Sequence, residues 1–575
     1  MQSRFLLVVL SILMVVGCGS GDSDQADETL GLSLPAGIEH ATEVITEDLL
    51  CNHVTILGGD GMEGRLPGSE GDRRARQYLA DQMQRIGLQP AFKDGSWEQP
   101  LTLVGVTSHM PESWQFHAED DTMLSLSLGN DFVGVAGGQT PQTMIENAPM
   151  VFVGYGIQAP EEDWNDFKDA DLNGKILLML NDDPDWDESL FGGDRKLWYG
   201  RWDYKYLSAA RQGAAGAIII HTTPSAGYPW TVVQTGWTGE QFELVAGDEP
   251  HLGVQSWVTG DSARKLVEMS GHDLDQLIEA ARSREFEPVE LGITTSISFQ
   301  TEIRQTETAN VGGILPGSDP NLADEFVVFS AHHDHFGIGE PDETGDRIYN
   351  GALDNGVAMA SSLAVAEAFA ALPTMTRRSA LFLFVAAEEQ GLLGSAYFAK
   401  SGVIHPGKFA ANINFELGNV WGKTRDVTVY GLGKSNLDDL VRSAAEMQNR
   451  VVTGETDVKA GWFYRSDHFS FARAGIPATW FKSGTDFIDR PAGWGEATYA
   501  SWIENHYHKP SDEVTPEWVY DGLAEDARLA FTVGTSVAER DQGPQWYPGD
   551  EFEATRQQAL ADAAAGAQSS RTVQE

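Results

Sequence analysis

Three apolar runs of strand length stand out in the second half of this chain. They are Phe326-Val327-Val328-Phe329-Ser330, Ala380-Leu381-Phe382-Leu383-Phe384-Val385 and Ala411-Asn412-Ile413-Asn414-Phe415. Short runs that are apolar almost throughout fit strands buried on both faces. Polar or charged residues follow each run, as where a buried strand reaches its carboxyl end. Between them, the Ala-rich stretch Val357 to Leu372, with Leu363, Val365 and Phe369, predicts a helix. Earlier, Ala75, Tyr78, Leu79, Met83 and Ile86 fall on one face of a helix predicted over Glu70 to Ile86, which Gly87 ends.

The middle of the chain has a different rhythm. Val151 to Ile157 is strand-like and punctuated by glycine, Gly174 to Leu180 is a strand after a turn, and Ala209 to Ile220 reads as helix, glycine stop, strand. These segments fall in an insertion at about residues 135–290. It splits the surrounding domain into 31–134 and 291–545. A second insertion at 483–504 carries Trp494 and Trp502, and 546–575 is expected to be a flexible tail, a frayed helix or disorder.

A chain of 575 residues exceeds the size of one core, so two domains are expected. A hydrophobic content of 41% with 16 Trp argues for a globular protein. The formal charge of −46 argues against nucleic acid or anionic membrane surfaces as partners, because phosphates would be repelled.

The ends of the three runs carry the candidate chemistry. Strand alternation puts His332 and Asp334 on one face and His333 and His335 on the other. Asp334 can then support the His332 ring, as carboxylates do at zinc sites, while His333 and His335 receive no functional role. Glu388 and Glu389 follow the second run. Adjacent residues aim differently, which suits one metal ligand and one general base. Glu416 ends the third run. Asp354, ahead of Gly356 and the predicted helix, reads by itself as a cap or first-turn acid. Open α/β sheets place their sites beyond the carboxyl ends of strands. Imidazole and carboxylate without thiolate is a donor set suited to zinc.

The segments His332-His333-Asp334, Gly351-Ala352-Leu353-Asp354-Asn355, Glu388-Glu389-Gln390-Gly391-Leu392-Leu393-Gly394-Ser395, Glu416 and Tyr507-His508-Lys509-Pro510-Ser511-Asp512 resemble those of the dizinc aminopeptidases of metallopeptidase family twenty-eight. Ser466-Asp467-His468-Phe469 with Gly475-Ile476-Pro477-Ala478 matches a further signature, and Arg65-Leu66-Pro67-Gly68-Ser69 before a helix resembles the start of the catalytic domain. The resemblance implies a three-layer α/β/α sandwich with a mostly parallel mixed sheet. It also implies two zinc ions bridged by Asp354, one completed by His332 and Glu416 and the other by Glu389 and His508, with Glu388 as general base. Glu416 departs from the Asp that many members carry. Tyr507, Tyr464 and Arg465 are candidates for oxyanion or substrate contacts, beside packing or a structural ion pair. The insertion is similar to a β-rich protease-associated (PA) domain. Peptides are the implied substrates. A carboxypeptidase or glutaminyl cyclase of the same fold is the alternative, and a non-catalytic receptor is disfavoured by retention of every ligand.

At the amino terminus, Arg4 precedes the apolar run Phe5 to Val16, and Val15-Val16-Gly17-Cys18 resembles a bacterial lipobox. Residues 1–17 then read as a lipoprotein signal peptide, Cys18 as the lipidation site, and 18–30 as a flexible tether. The expectation is an exported protein anchored by lipid to a bacterial membrane. Only Cys51 would remain, so no intramolecular disulfide is expected.

Overall fold

The computed structural model describes residues 30–574, so the lipobox and Cys18 lie outside the described residues. The three apolar runs are strands at the centre of one mixed sheet. Strand β1 (Glu98–His109) and the 27-residue β2 (Val289–Leu315) pair antiparallel, with Gln300 opposite His109 and Val311 opposite Glu98. The end of β2 then pairs antiparallel with β4 (Ser379–Val385). Next come β3 (Phe326–His332), β5 (Phe409–Asn414) and β8 (Ala478–Ser483), all parallel. β6 (Asp426–Tyr430) lies antiparallel to β8, and β7 (Val451–Gly454) completes the sheet parallel to β6.

Alternation along these strands feeds two cores. Val327, Phe329, Ala380, Phe382 and Phe384 face one side, and Val328, Leu381, Leu383 and Val385 face the other. On the first side pack α1 (Glu47–Leu57), α2 (Glu70–Ile86), α3 (Val357–Ala370), α4 (Leu437–Met447) and, beyond α5 (Trp494–Asn505), α6 (Asp521–Glu539). On the second lie Phe398, Phe463, Phe469 and Phe471. The fold is thus the expected α/β/α three-layer arrangement. Phe329 stacks on Phe382 at 4.9 Å and meets Phe369 edge-on. Truncating a buried Phe of this kind to Ala costs about 3–5 kcal/mol. Helix α6 comes close because Gly534 has no side chain: a Cβ there would stand 2.2 Å from the Phe329 ring.

Helix α2 runs over the expected residues, with the Ser69 side chain accepting from Asp72 N and Gly87 in the left-handed conformation (φ 102°) beyond its end. Between β1 and β2, strands Gln142–Phe152, Ile176–Leu180, Gly216–His221 and Val254–Thr259 lie side by side in parallel, and Phe132–Ala136 runs antiparallel to the last. These strands also divide two cores: Ile176, Leu178, Ile218 and Ile220 on one side, Leu177, Met179, Ala217 and Ile219 on the other. The pairing reaches past 135–290 at both ends, through β1 and through β2, so we propose an inserted packing unit of about residues 103–307.

Of the two expectations for the tail, a frayed helix or disorder, the structure has the helix. Residues Glu553–Gln574 form a helix, α7, whose first turns pack at Pro406 and Gly407. Just before it, Glu551 is buried against Lys434 at 2.9 Å and accepts the Tyr464 hydroxyl at 2.6 Å. The Ala-rich composition that suggested fraying is what a helix needs to approach another backbone closely.

Candidate metal centre

Five strand ends and loops converge at the carboxyl ends of β3, β4 and β5. His332 is the last residue of β3, and its Nε2 lies 3.2 Å from Asp354 Oδ1 and 3.4 Å from Glu416 Oε1. On the other side of Asp354, His508 Nε2 lies 3.2 Å from Asp354 Oδ2 and 3.2 Å from Glu389 Oε2. The two oxygens of one carboxylate therefore face two separate histidine–carboxylate pairs. The five residues that the resemblance singled out, His332, Asp354, Glu416, Glu389 and His508, thus lie together. Glu388 belongs to the same cluster, with a carboxylate oxygen within 4.8 Å of His332 and Glu389 ligand atoms.

Local structure holds these side chains in place. Asp354 does not cap α3. It sits with non-helical backbone (φ −116°, ψ 86°) ahead of that helix, and Asp512 accepts both Leu353 N and Asp354 N. Ala387 adopts φ 57° after β4, turning the chain, and the Asp334 carboxylate accepts the Glu388 and Glu389 amides at 3.1 and 3.3 Å. His332 Nδ1 meets the backbone carbonyl of Asp334 at 3.2 Å, with the carboxylate at 3.7 Å, so that carboxylate chiefly holds the loop bearing both glutamates. Glu416 Oε2 accepts from Ser466 Oγ at 2.7 Å, and Asn414 Nδ2 donates to the same Ser466 Oγ at 2.7 Å.

The charges are tightly coupled. Burial opposes ionisation of Asp354, yet the neighbouring His332 and His508 imidazoles hold the carboxyl well below the usual range. Burial likewise opposes charge on His508, but Glu389 and Asp354 hold its pKa at about 10, and His332 is raised in the same way by Glu416 and Glu388. Glu389 is kept at about 2 against burial and the Asp354 charge, through His508 and His335. Glu388 is pushed well up, first by burial. The Nε2 atoms of His332 and His508 are buried without a hydrogen-bond partner, each aimed at two carboxylate oxygens. Orphaned imidazole nitrogens among carboxylates fit divalent cations with N and O ligands, and zinc best among these.

His335 was assigned no role by strand alternation, but its Nδ1 lies 2.6 Å from Glu389 Oε1, and it groups with Asp354 and Glu389 as a further candidate ligand. The reason is local: β3 ends at His332, so a period of two does not extend to residue 335. His333 follows its expectation, its Nε2 lying 3.0 Å from buried Asp72 Oδ1. Arg65 belongs to the stretch Arg65 to Ser69 that carries part of the resemblance, but no role follows for it from the sequence. It is wholly buried beneath the cluster and donates to the carbonyls of Leu57, His333, Asn350 and Gly351. Tyr464 is removed from the site, since its hydroxyl binds Glu551 in the far core. Tyr507 stacks on His508 at 3.7 Å and stays beside the cluster. Arg465 lies over the Trp462 ring at 4.8 Å, and with Arg201 and Lys196 it lines a separate cavity. His468 is buried against Phe463, where burial lowers its pKa to about 3.

Residues 310–529 match the family model described as Peptidase family M28. That match covers less than half of the chain. The matched segment contains every residue of the cluster, from His332 to His508. A probable leucine aminopeptidase 2 of Aspergillus fumigatus is 24% identical over 387 residues, covering 65% of this chain and 64% of that protein. Leupeptin-inactivating enzyme 1 of Streptomyces exfoliatus is 26% identical over 283 residues, covering 48% and 59%. The chain thus spans less than two thirds of the length of either relative. Among solved structures, an aminopeptidase from Aneurinibacillus sp. strain AM-1 is 19% identical, with a TM-score of 0.47, covering 88% of this chain and 97% of that one.

Proposed function

We propose that this protein is a zinc-dependent aminopeptidase that hydrolyses N-terminal residues from peptides. The observation that carries the proposal is the position of Asp354, whose two carboxylate oxygens lie 3.2 Å from the Nε2 atoms of His332 and His508. His332, Asp354 and Glu416 would hold one zinc ion, and Asp354, Glu389 and His508 the other. Two zinc ions supply Lewis acidity that polarises the scissile carbonyl and acidifies water.

The remaining chemistry belongs to the side chains. Glu388 has no ligand role in this assignment, and its raised pKa suits a residue that takes a proton from the attacking water and passes it to the leaving amine. Tyr507 is kept neutral by burial and by the Asp354 and Glu389 charges, so it remains a proton donor suited to a developing oxyanion. The cluster's acids favour a cationic α-amine at the substrate's N-terminus. We assign the inserted unit to the PA-like class and its role to the mouth of the cleft. We also propose attachment to a bacterial membrane through lipidated Cys18; an acyl-modified first peptide in membrane fractions supports this, and an unmodified soluble form overturns it.

The deciding experiment compares one peptide with each end blocked in turn, alongside metal analysis. Cleavage should require a free amine and tolerate C-terminal amidation, with two zinc ions per chain. Cleavage of the acetylated peptide with loss on amidation would establish a carboxypeptidase instead. A single zinc with cyclisation of N-terminal glutamine would establish a glutaminyl cyclase.

A further inference from the structure

A small cavity of about 60 Å³ is walled by Gly418, Trp421, Tyr430, Phe487 and Tyr499, and Lys482 lines it. The backbone ties it to the metal cluster, since Gly418 lies two residues beyond Glu416. Trp480 Nε1 donates to the Glu416 carbonyl at 3.0 Å, and Lys482 is two residues further along β8, on the same strand face. Tyr430 stacks on Trp480 at 3.6 Å and continues the aromatic wall. The Lys482 side chain is buried. Its Nζ donates to the Tyr499 hydroxyl at 2.7 Å and lies 4.0 Å from that ring's centroid, held by a phenol and ring faces rather than by a carboxylate. Burial draws its pKa down to about 7, against the more distant charges of Glu416, Asp526 and Asp354.

On the aminopeptidase reading above, on which this inference rests, we propose that the cavity receives the side chain of the substrate's N-terminal residue and that Lys482 selects an acidic one, aspartate or glutamate. Size limits the occupant. At about 15 Å³ per water-sized sphere, this space takes about four such atoms, the scale of an Asp or Glu side chain and less than an indole or a guanidinium requires. Charge chooses among those that fit. A desolvated ammonium gains most from a carboxylate, which forms a charge-assisted hydrogen bond and restores a partner to the buried cation. A leucine would cover the ammonium without replacing its solvation, and a lysine would add like charge. The ring faces of Tyr430 and Tyr499 suit the methylene groups of the entering side chain.

The test uses zinc-loaded full-length protein and the α-anilides of Glu, Gln, Leu and Lys. The Glu compound should exceed its neutral isostere Gln in kcat/KM by roughly tenfold or more, the effect of one charge-assisted bond in a dry site. Lys482→Met should lower Glu turnover more than Gln turnover and so collapse the Glu-to-Gln ratio, and Lys482→Arg should keep that ratio. The wild-type Glu-to-Gln ratio needs no variant, so it decides the matter even if Lys482→Met fails to fold. Wild-type turnover of Gln or Leu equal to or above that of Glu overturns the assignment and leaves the aminopeptidase reading standing. Failure to cleave any of the four overturns both.

Discussion

Arg65 Nε donates to the carbonyl of His333 at 2.8 Å, joining the amino-terminal segment to the loop that carries His332 and Asp334. Its remaining donors go to the carbonyls of Leu57, Asn350 and Gly351, so one side chain ties α1, the end of β3 and the segment leading to Asp354. Burial lowers its pKa only to about 10, so a full positive charge stays beneath the acids Asp334, Asp354, Asp512 and Glu389. The same residue therefore serves packing, electrostatics and placement of the site.

Replacing this guanidinium leaves the carbonyls of Leu57, His333 and Asn350 without their donor, and that of Gly351 with the Gly356 amide alone. At about 1–3 kcal/mol for a buried group left unpaired, Arg65→Met should destabilise the fold by at least about 3 kcal/mol. It should weaken zinc binding as well, because the loops bearing His332 and Asp354 lose their common tie. Chemical denaturation and metal titration check both effects; a variant of wild-type stability would remove Arg65 from this role.

For Glu388 the expectation is a purely chemical defect. Glu388→Gln should lower turnover by roughly 10²–10⁴-fold, the range of a general base. Zinc content and unfolding midpoint should be unchanged, since no ligand in the proposed assignment is lost. Retention of half the activity would rule the assignment out.

His335 offers a way to separate the two metal positions. Its Nδ1 is 2.6 Å from Glu389 Oε1, so His335→Ala should weaken the Glu389–His508 position, with a loss of roughly 10–100-fold in affinity. The position of His332 and Glu416 should keep its zinc. Chelator competition followed ion by ion distinguishes this from an equal loss at both, which would count against separate roles.

The pH dependence of stability has a contributor remote from the centre. His53 on α1 is buried, its Nδ1 2.7 Å from the Tyr78 hydroxyl, and burial lowers its pKa from 6.5 to about 4. The neutral form is favoured in the fold, so the full contribution is present above pH 6.5 and is lost as pH falls toward 4. At 1.36 kcal/mol per unit, the wild type should lose about 3 kcal/mol more than His53→Gln across that window. Unfolding free energies of the two proteins measured from pH 7 to pH 4 check this; parallel curves would show that His53 contributes nothing.

The sequence by itself determined the elements and most of the candidate ligands. Apolar runs 326–330, 380–385 and 411–415 could only be strands buried on both faces, and an acid or histidine at the end of each had to lie along one edge of the sheet. Periodicity carries that information because it is local. What lay beyond its reach depended on contacts between distant segments. His335 escaped notice because strand geometry ends at His332, and only the turn that follows brings it to Glu389. Arg65 and Asp512 stand in segments that carry the resemblance, but their roles appear only once folding places backbone carbonyls and amides around them. Asp354 read as a helix-start acid; its two oxygens face two histidines only because β3 and the segment before Lys509 meet there. The tail is a helix because Gly407 leaves room for Ala559 and Ala563, a close approach that composition alone cannot encode.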